Sequence, residues 1–99
     1  MVIVGGRFEV DPERREEFLA GRRDAMLRSR AENGCLEYTF SADPIEPDRV
    51  VLFERWASRE ALDAHLAASR AAPRAPTTVT PISSAITIYD VAGEEQLGR

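Results

Sequence analysis

The chain has 99 residues, with 17 acidic and 13 basic side chains and a formal net charge of -4. No basic block is present to neutralise a phosphate backbone, so these totals argue against a nucleic-acid partner. With one cysteine and one histidine, a disulfide within the chain and a structural zinc site built by one chain are excluded.

The opening segment MVIVGGRFEV has no basic leader before its apolar run and is too short to span a bilayer. Together with the lone Cys35, this predicts a protein of the reducing cytoplasm without membrane contact. We expect one domain over residues 1–91 and a C-terminal tail over residues 92–99. A domain this small buries a limited core, and a partner subunit would relieve that limit.

The first half of the chain predicts a strand followed by a helix. Apolar residues alternate over residues 2–10, where Gly5 and Gly6 leave a patch that a ligand or another backbone can approach. Asp11 and Pro12 start one helix, which runs to residues 28–32 and stops at Asn33-Gly34. Arg22 falls within its apolar stripe, where it either reaches a cavity and stabilises an anion, or snorkels or pairs with a carboxylate.

Two strands are predicted next, over residues 35–41 and 50–56, joined as a hairpin. Alternation places Leu36, Tyr38 and Phe40 on one face of the first strand. The second strand is mostly apolar on both faces, although helices can cover only one side of the sheet. We therefore predict that a second copy of the chain packs sheet against sheet, forming a homodimer.

A second helix follows Ser58, a good N-cap, and extends to Arg70. Its inward stripe is predicted to be Ala61, Leu62, His65, Leu66 and Ser69. The proline-rich loop from Ala71 to Pro81 is a pocket rim or lid, an ordinary connection, or an arm to the partner subunit. Residues 82–91 form the last predicted strand, with Ile86 and Ile88 on one face and Thr87, Tyr89 and Val91 on the other.

The order β-α-β-β-α-β is typical of the ferredoxin-like split βαβ plan, an α+β fold with an antiparallel sheet and helices on one face. Two such sheets packed together make a dimeric α/β barrel. This plan alone assigns no function.

Two stretches carry a resemblance to a known family: SRAENGCLEYTF at residues 29–40 and VVLFERWASREALDAHL at residues 50–66. They resemble the antibiotic biosynthesis monooxygenase domain family, including the small quinol monooxygenases, over residues 2 to about 70. The resemblance implies a homodimer that oxygenates phenolic or quinol-like substrates with molecular oxygen and without a cofactor. Arg70 stands where many members have a second histidine, and Gly5 and Gly6 stand near where haem-degrading members have an asparagine, so haem chemistry is disfavoured.

Oxygenation without a cofactor requires a base, a donor to hold the phenolate and a dry aromatic pocket. We predict the catalytic residues His65 and Trp56, no metal ligand, and the substrate-binding residues Tyr38, Arg22, Asn33 and Glu54. Each has a structural alternative: His65 as a core histidine bonded to Glu54, Trp56 and Tyr38 as packing, and Asn33 as a helix stop. The alternative functions are a non-catalytic dimeric binding protein for a small molecule and an isomerase or dehydratase of the same fold.

Overall fold

The computed structural model describes residues 1–73 and 79–98. The strands are β1 (Val2–Glu9), β2 (Cys35–Ala42), β3 (Arg49–Trp56) and β4 (Ser83–Asp90), and the helices are α1 (Arg15–Ala20), α2 (Arg23–Arg30) and α3 (Arg59–Ala71), with a 3-10 turn at Pro12–Arg14. The strands form one antiparallel sheet in the order β2-β3-β1-β4. This topology confirms the predicted ferredoxin-like α+β fold.

The predicted first helix is not continuous. It is a 3-10 turn, where Asp11 accepts a hydrogen bond from the Glu13 N–H at 3.0 Å, followed by α1 and α2. The break lies at Gly21 and Arg22, where the Arg22 N–H binds the carbonyl of Leu19 at 3.0 Å, three residues back. Glycine weakens a helix interior because it loses the most backbone freedom there. The prediction of one helix is wrong, and Arg22 precedes α2 instead of lying inside a helix.

Strand β2 contains an irregularity that changes one predicted face. Cys35 pairs with Trp56 and Glu37 with Arg55, so Leu36 is an extra residue on this strand. Leu36 is 45% exposed, whereas Cys35 packs against the core. The bulge reverses the alternation before Glu37, so the placement of Leu36 with Tyr38 and Phe40 is wrong.

Helix α3 begins as its sequence predicts, since the Ser58 hydroxyl accepts a hydrogen bond from the Ala61 N–H at 3.1 Å. Leu62 and His65 are buried on its inner face, while Ser69 is exposed, against the prediction. The α2–β2 turn packs closely on this helix: Gly34 has a φ of 84°, and a Cβ there would lie 2.6 Å from the Ala61 Cβ. Only glycine fits both requirements at position 34.

The core lies between the helices and the inner face of the sheet, in two neighbouring clusters. One contains Val2, Val4, Tyr38, Trp56 and Leu62, and the other contains Val10, Phe18, Val50 and Val79. On the opposite, outer face, Val51, Phe53 and Tyr89 are 36%, 37% and 54% exposed. Strand β3 therefore presents apolar side chains to both sides, as predicted.

The loop between β2 and β3 is tied to α1 by one side chain. Arg15 Nη1 donates hydrogen bonds to the backbone carbonyls of Asp43, Glu46 and Arg49, at 2.8, 3.0 and 3.3 Å. A charged donor shared by three carbonyls fixes the hairpin against the helix layer.

The three roles considered for the loop from Ala71 to Pro81 depend largely on residues 74–78. These residues lie outside the described part of the chain, so the three roles stay predictions. In the described part of the chain, residues 92–98 have no regular secondary structure, and the division into a domain and a tail stays a prediction. None of the described helices has the length and apolar character needed to cross a membrane.

Candidate functional site

Three aromatic rings from three elements meet between the sheet and α3. The centroid of His65 lies 4.6 Å from that of Trp56 and 5.3 Å from that of Tyr38, and the Tyr38 and Trp56 centroids are 6.4 Å apart. All three residues are buried. Tyr38 comes from β2, Trp56 ends β3 and His65 lies in the middle of α3. We call these residues the ring cluster.

Two carboxylates flank the ring cluster. Glu54 Oε1 accepts a hydrogen bond from Trp56 Nε1 at 2.9 Å and lies 4.0 Å from His65 Nε2. His65 Nδ1 lies 3.1 and 3.3 Å from the two carboxylate oxygens of Glu32. Because a carboxylate accepts hydrogen bonds, this contact assigns the proton to Nδ1 in the neutral imidazole and leaves a lone pair on Nε2.

Glu32 is the site residue that the sequence analysis missed. The sequence places it only at the end of a helix, because nothing in its local pattern distinguishes it from the other acidic residues of the chain. Its contact with His65 depends on the close packing of Gly34 against Ala61, which brings the α2–β2 turn beside α3.

Burial changes the proton affinities in this site. Burial raises the pKa of Glu54, which the hydrogen bond from Trp56 and the charge of His65 partly offset. Burial is the main cause that raises the pKa of Tyr38 to about 12, and the charge of Glu54 adds to it. A hydrogen bond with Ser29 acts in the opposite direction and lowers this pKa. Tyr38 is therefore a neutral phenol at physiological pH and can donate a hydrogen bond, while Glu54 takes up a proton more readily than an exposed glutamate.

The two predicted oxyanion donors lie in different surroundings. The Arg22 guanidinium lies 4.8 Å from the centroid of the Phe18 ring, in the helix–sheet core, and its charge reaches Tyr38. Asn33 is exposed in the turn before Gly34, whereas its neighbour Glu32 contacts His65. The charge of Arg22 thus acts on Tyr38, and the donor roles of Arg22 and Asn33 stay predictions.

Grooves open on two sides of the sheet. A groove of about 330 Å³ at the free edge of β2 is lined by Arg30, Cys35, Leu36, Glu37, Tyr38 and Thr39. A shallower groove of about 490 Å³ crosses the outer face, with Gly5, Arg7, Phe53 and Tyr89 in its lining. Of these two grooves, the first has a residue of the ring cluster, Tyr38, in its lining. Among the described residues, no group of three His, Cys, Asp or Glu side chains is arranged to hold a metal ion.

Comparison with known proteins gives consistent matches. The sequence model described as antibiotic biosynthesis monooxygenase matches residues 1–72. YcnE of Bacillus subtilis, described as a candidate monooxygenase, is 32% identical over 65 residues, which are 66% of this chain and 68% of that protein. An uncharacterized protein of Synechocystis is 39% identical over 64 residues, which are 65% of this chain and 44% of that protein, so the match spans less than half of this relative.

Solved structures share the whole fold. A candidate antibiotic biosynthesis monooxygenase from Deinococcus radiodurans superimposes with a TM-score of 0.79 at 24% identity, covering 100% of both chains. The protein Rv0793 from Mycobacterium tuberculosis gives a TM-score of 0.70 at 29% identity, covering 96% of this chain and 98% of that one. Since the family match spans well over half of the sequence, the chain belongs to the antibiotic biosynthesis monooxygenase family.

Proposed function

We propose that the protein is a monooxygenase that works without a cofactor and oxidises a small aromatic, quinol-like substrate with molecular oxygen. The observation that carries the proposal is the ring cluster, in which an imidazole oriented by Glu32 lies between two aromatic side chains. Membership of the family and the name of the Bacillus relative support the same type of reaction. The lone Cys35 favours a cytoplasmic location.

The first step is removal of a proton from a substrate hydroxyl. His65 Nε2 is the base, because Nδ1 is held by Glu32 and Nε2 carries the lone pair. The Glu32 carboxylate also stabilises the imidazolium that forms, as a carboxylate does for the histidine of a catalytic triad. Glu54, 4.0 Å from Nε2 and with a raised pKa, is the next acceptor for the proton.

The second step is reaction of the substrate anion with dioxygen. Dioxygen is a triplet and reacts slowly with closed-shell molecules, so the electron-rich anion itself supplies the first electron. The quinol gains one oxygen atom and loses two hydrogens, which leave with the other oxygen atom as water. Trp56 and Tyr38 exclude solvent, and the Tyr38 hydroxyl donates to the anion because its pKa of about 12 keeps it protonated.

A second candidate function is binding of a small molecule without chemistry. The observation that favours it is the mutual pairing of Trp56 with Glu54 and of His65 with Glu32, which is what a satisfied structural cluster in a core also shows. In that case the ring cluster stabilises the fold and the groove at β2 binds the ligand.

Oxygen uptake separates the two functions. Protein verified to be free of metal and flavin is mixed with a panel of quinols and naphthols, and uptake above the rate of spontaneous oxidation is expected for at least one. His65→Ala should abolish this excess, whereas Asp63→Asn, on the exposed face of the same helix, should retain it. Absence of uptake with every substrate would favour the binding protein, and uptake that survives His65→Ala would remove His65 as the base.

We further infer that two subunits pack through the outer faces of their sheets. Val51, Phe53 and Tyr89 lie on this face with a third or more of their surface exposed. The helices cover the other face, so a second sheet is the cover that this apolar surface fits. The predicted homodimer follows from this surface, and sedimentation measures it directly.

A further inference from the structure

Arg22 is the charged group near the ring cluster that the proposed reaction leaves without a role. Its Nε is buried and has no hydrogen-bond partner within residues 1–73 and 79–98. The guanidinium lies over the Phe18 ring at 4.8 Å, so its surroundings are partly apolar. A buried donor without an acceptor destabilises a protein, and such a group in a folded chain calls for an explanation.

The two carboxylates of the ring cluster do not provide the missing acceptor. Glu32 contacts His65 and Glu54 accepts from Trp56, so both are engaged in the ring cluster. No ion pair joins Arg22 to an acid in the described part of the chain. Because an arginine is charged at every physiological pH, its Nε is a positively charged buried donor for which the described residues supply no acceptor.

Arg22 and His65 lie at different ends of a series of ring contacts. Phe18, beside Arg22, is 6.5 Å from Phe40, which is 5.8 Å from Tyr38, and Tyr38 is 5.3 Å from His65, all between ring centroids. An anion bound by Arg22 is therefore not the oxygen that His65 deprotonates.

We propose that the aromatic substrate carries a carboxylate, which Arg22 binds while the hydroxyl to be deprotonated faces His65. This inference rests on the proposed function, since it assigns a substrate class to the same site. A carboxylate suits the position because it is ionised at neutral pH and matches the planar guanidinium fork. The weak hydration of a guanidinium also suits the apolar surroundings beside Phe18.

Binding of two matched probes tests the proposal independently of any oxidation. The compounds 2-naphthoate and 2-naphthamide have the same ring system and similar shape, but only the first is an anion, and neither carries a hydroxyl group. Titration calorimetry with the wild-type protein should show 2-naphthoate binding roughly tenfold or more tightly than 2-naphthamide, the gain expected of a charge-assisted hydrogen bond.

Variants of two arginines test whether Arg22 causes this preference for the anionic probe. Arg22→Gln keeps the stem over Phe18 and should bring the two affinities together, while Arg22→Lys should retain part of the preference. Arg28→Gln removes an equal charge from an exposed position on α2 and should leave the preference intact. Circular dichroism confirms that each variant is folded before its affinities are compared.

Equal affinities for the two probes, no binding of 2-naphthoate to the wild-type protein, or a preference that survives Arg22→Gln would each overturn the proposal. The wild-type comparison needs no variant, so it decides even if Arg22→Gln does not fold. If 2-naphthoate is preferred through Arg22 but no quinol stimulates oxygen uptake, the carboxylate site stands and the proposed oxygenation fails. If uptake occurs, Arg22→Gln should raise KM for a carboxylated quinol and leave kcat nearly unchanged, because Arg22 does not touch the reacting oxygen.

Discussion

Replacement of Trp56 by phenylalanine measures how strongly the ring cluster depends on one buried hydrogen bond. Trp56 is 0% exposed and its Nε1 donates to Glu54 Oε1 at 2.9 Å, while Glu54 is itself 5% exposed. Loss of a hydrogen bond to a charged group costs about 1.5–3 kcal/mol. The smaller ring leaves a cavity that adds about 1 kcal/mol. We expect Trp56→Phe to lower the free energy of unfolding by about 2.5–4 kcal/mol at neutral pH.

The same substitution should change the pH dependence of stability. Burial raises the folded-state pKa of Glu54 above its ordinary value of 4.5, so the folded state binds the proton more tightly than the unfolded state. The contribution of Glu54 is therefore largest below pH 4.5 and is lost as the pH rises from 4.5 through the raised folded-state pKa. Trp56→Phe removes the hydrogen bond that lowers this pKa, so the difference between variant and wild type should grow as the pH rises through that interval.

Urea unfolding followed by circular dichroism gives the loss of stability at neutral pH, and the same measurement at a mildly acidic pH shows how that loss depends on pH. In the Glu54→Gln background no carboxyl group titrates at this position, so the effect of Trp56→Phe should become nearly independent of pH. An equal loss of stability at both pH values in the wild-type background would contradict the account, because it would mean that the Trp56–Glu54 bond does not favour the charged carboxylate.

Three further predictions concern the packing around the site and the subunit contact. Gly34→Ala should lower the free energy of unfolding by at least about 1–3 kcal/mol, the cost of the strained φ alone, because the new Cβ also clashes with Ala61. In chemical unfolding, the added substitution Ala61→Gly should recover only the stability that the clash removes. Full recovery would show that the φ of residue 34 costs alanine nothing. Phe53→Glu places a charge on the outer sheet face and should convert a dimer into a monomer in sedimentation experiments, whereas a monomeric wild-type protein would contradict the proposed interface. Arg15→Gln should cost about 1–3 kcal/mol in the same unfolding assay, because the three loop carbonyls lose a charged donor; a difference below the error of the assay would show that solvent replaces the side chain at no cost.

The parts of the structure that the sequence predicts are those decided by periodicity and local capping. The alternation along β3 places Trp56 on one face with Val50 and Leu52, and the helical spacing after Ser58 places His65 in the inward stripe of α3. The structure shows that these two side chains are in contact. The sequence does not predict the break at Gly21 or the bulge at Leu36, because each depends on how the segment fits the rest of the fold and not on its own pattern.

The residues that the sequence leaves out or leaves open depend on tertiary contacts. Glu32 reaches His65 only because Gly34 lets its turn pack against α3, a contact across 33 positions of sequence. Arg22 is ambiguous in a helical stripe, where a cavity role and a snorkelling role look alike. That its buried Nε has no partner among the described residues is visible only once the surrounding side chains are in place.

The central claim is that the protein transfers one atom of molecular oxygen to an aromatic substrate without a cofactor. Mass spectrometry of the product formed under isotopically labelled dioxygen, by protein verified free of metal and flavin, measures this directly. The account predicts one labelled oxygen atom in the product of the wild-type protein and none above the spontaneous background with His65→Ala. Product oxygen derived from water, or no product beyond that background, would contradict it.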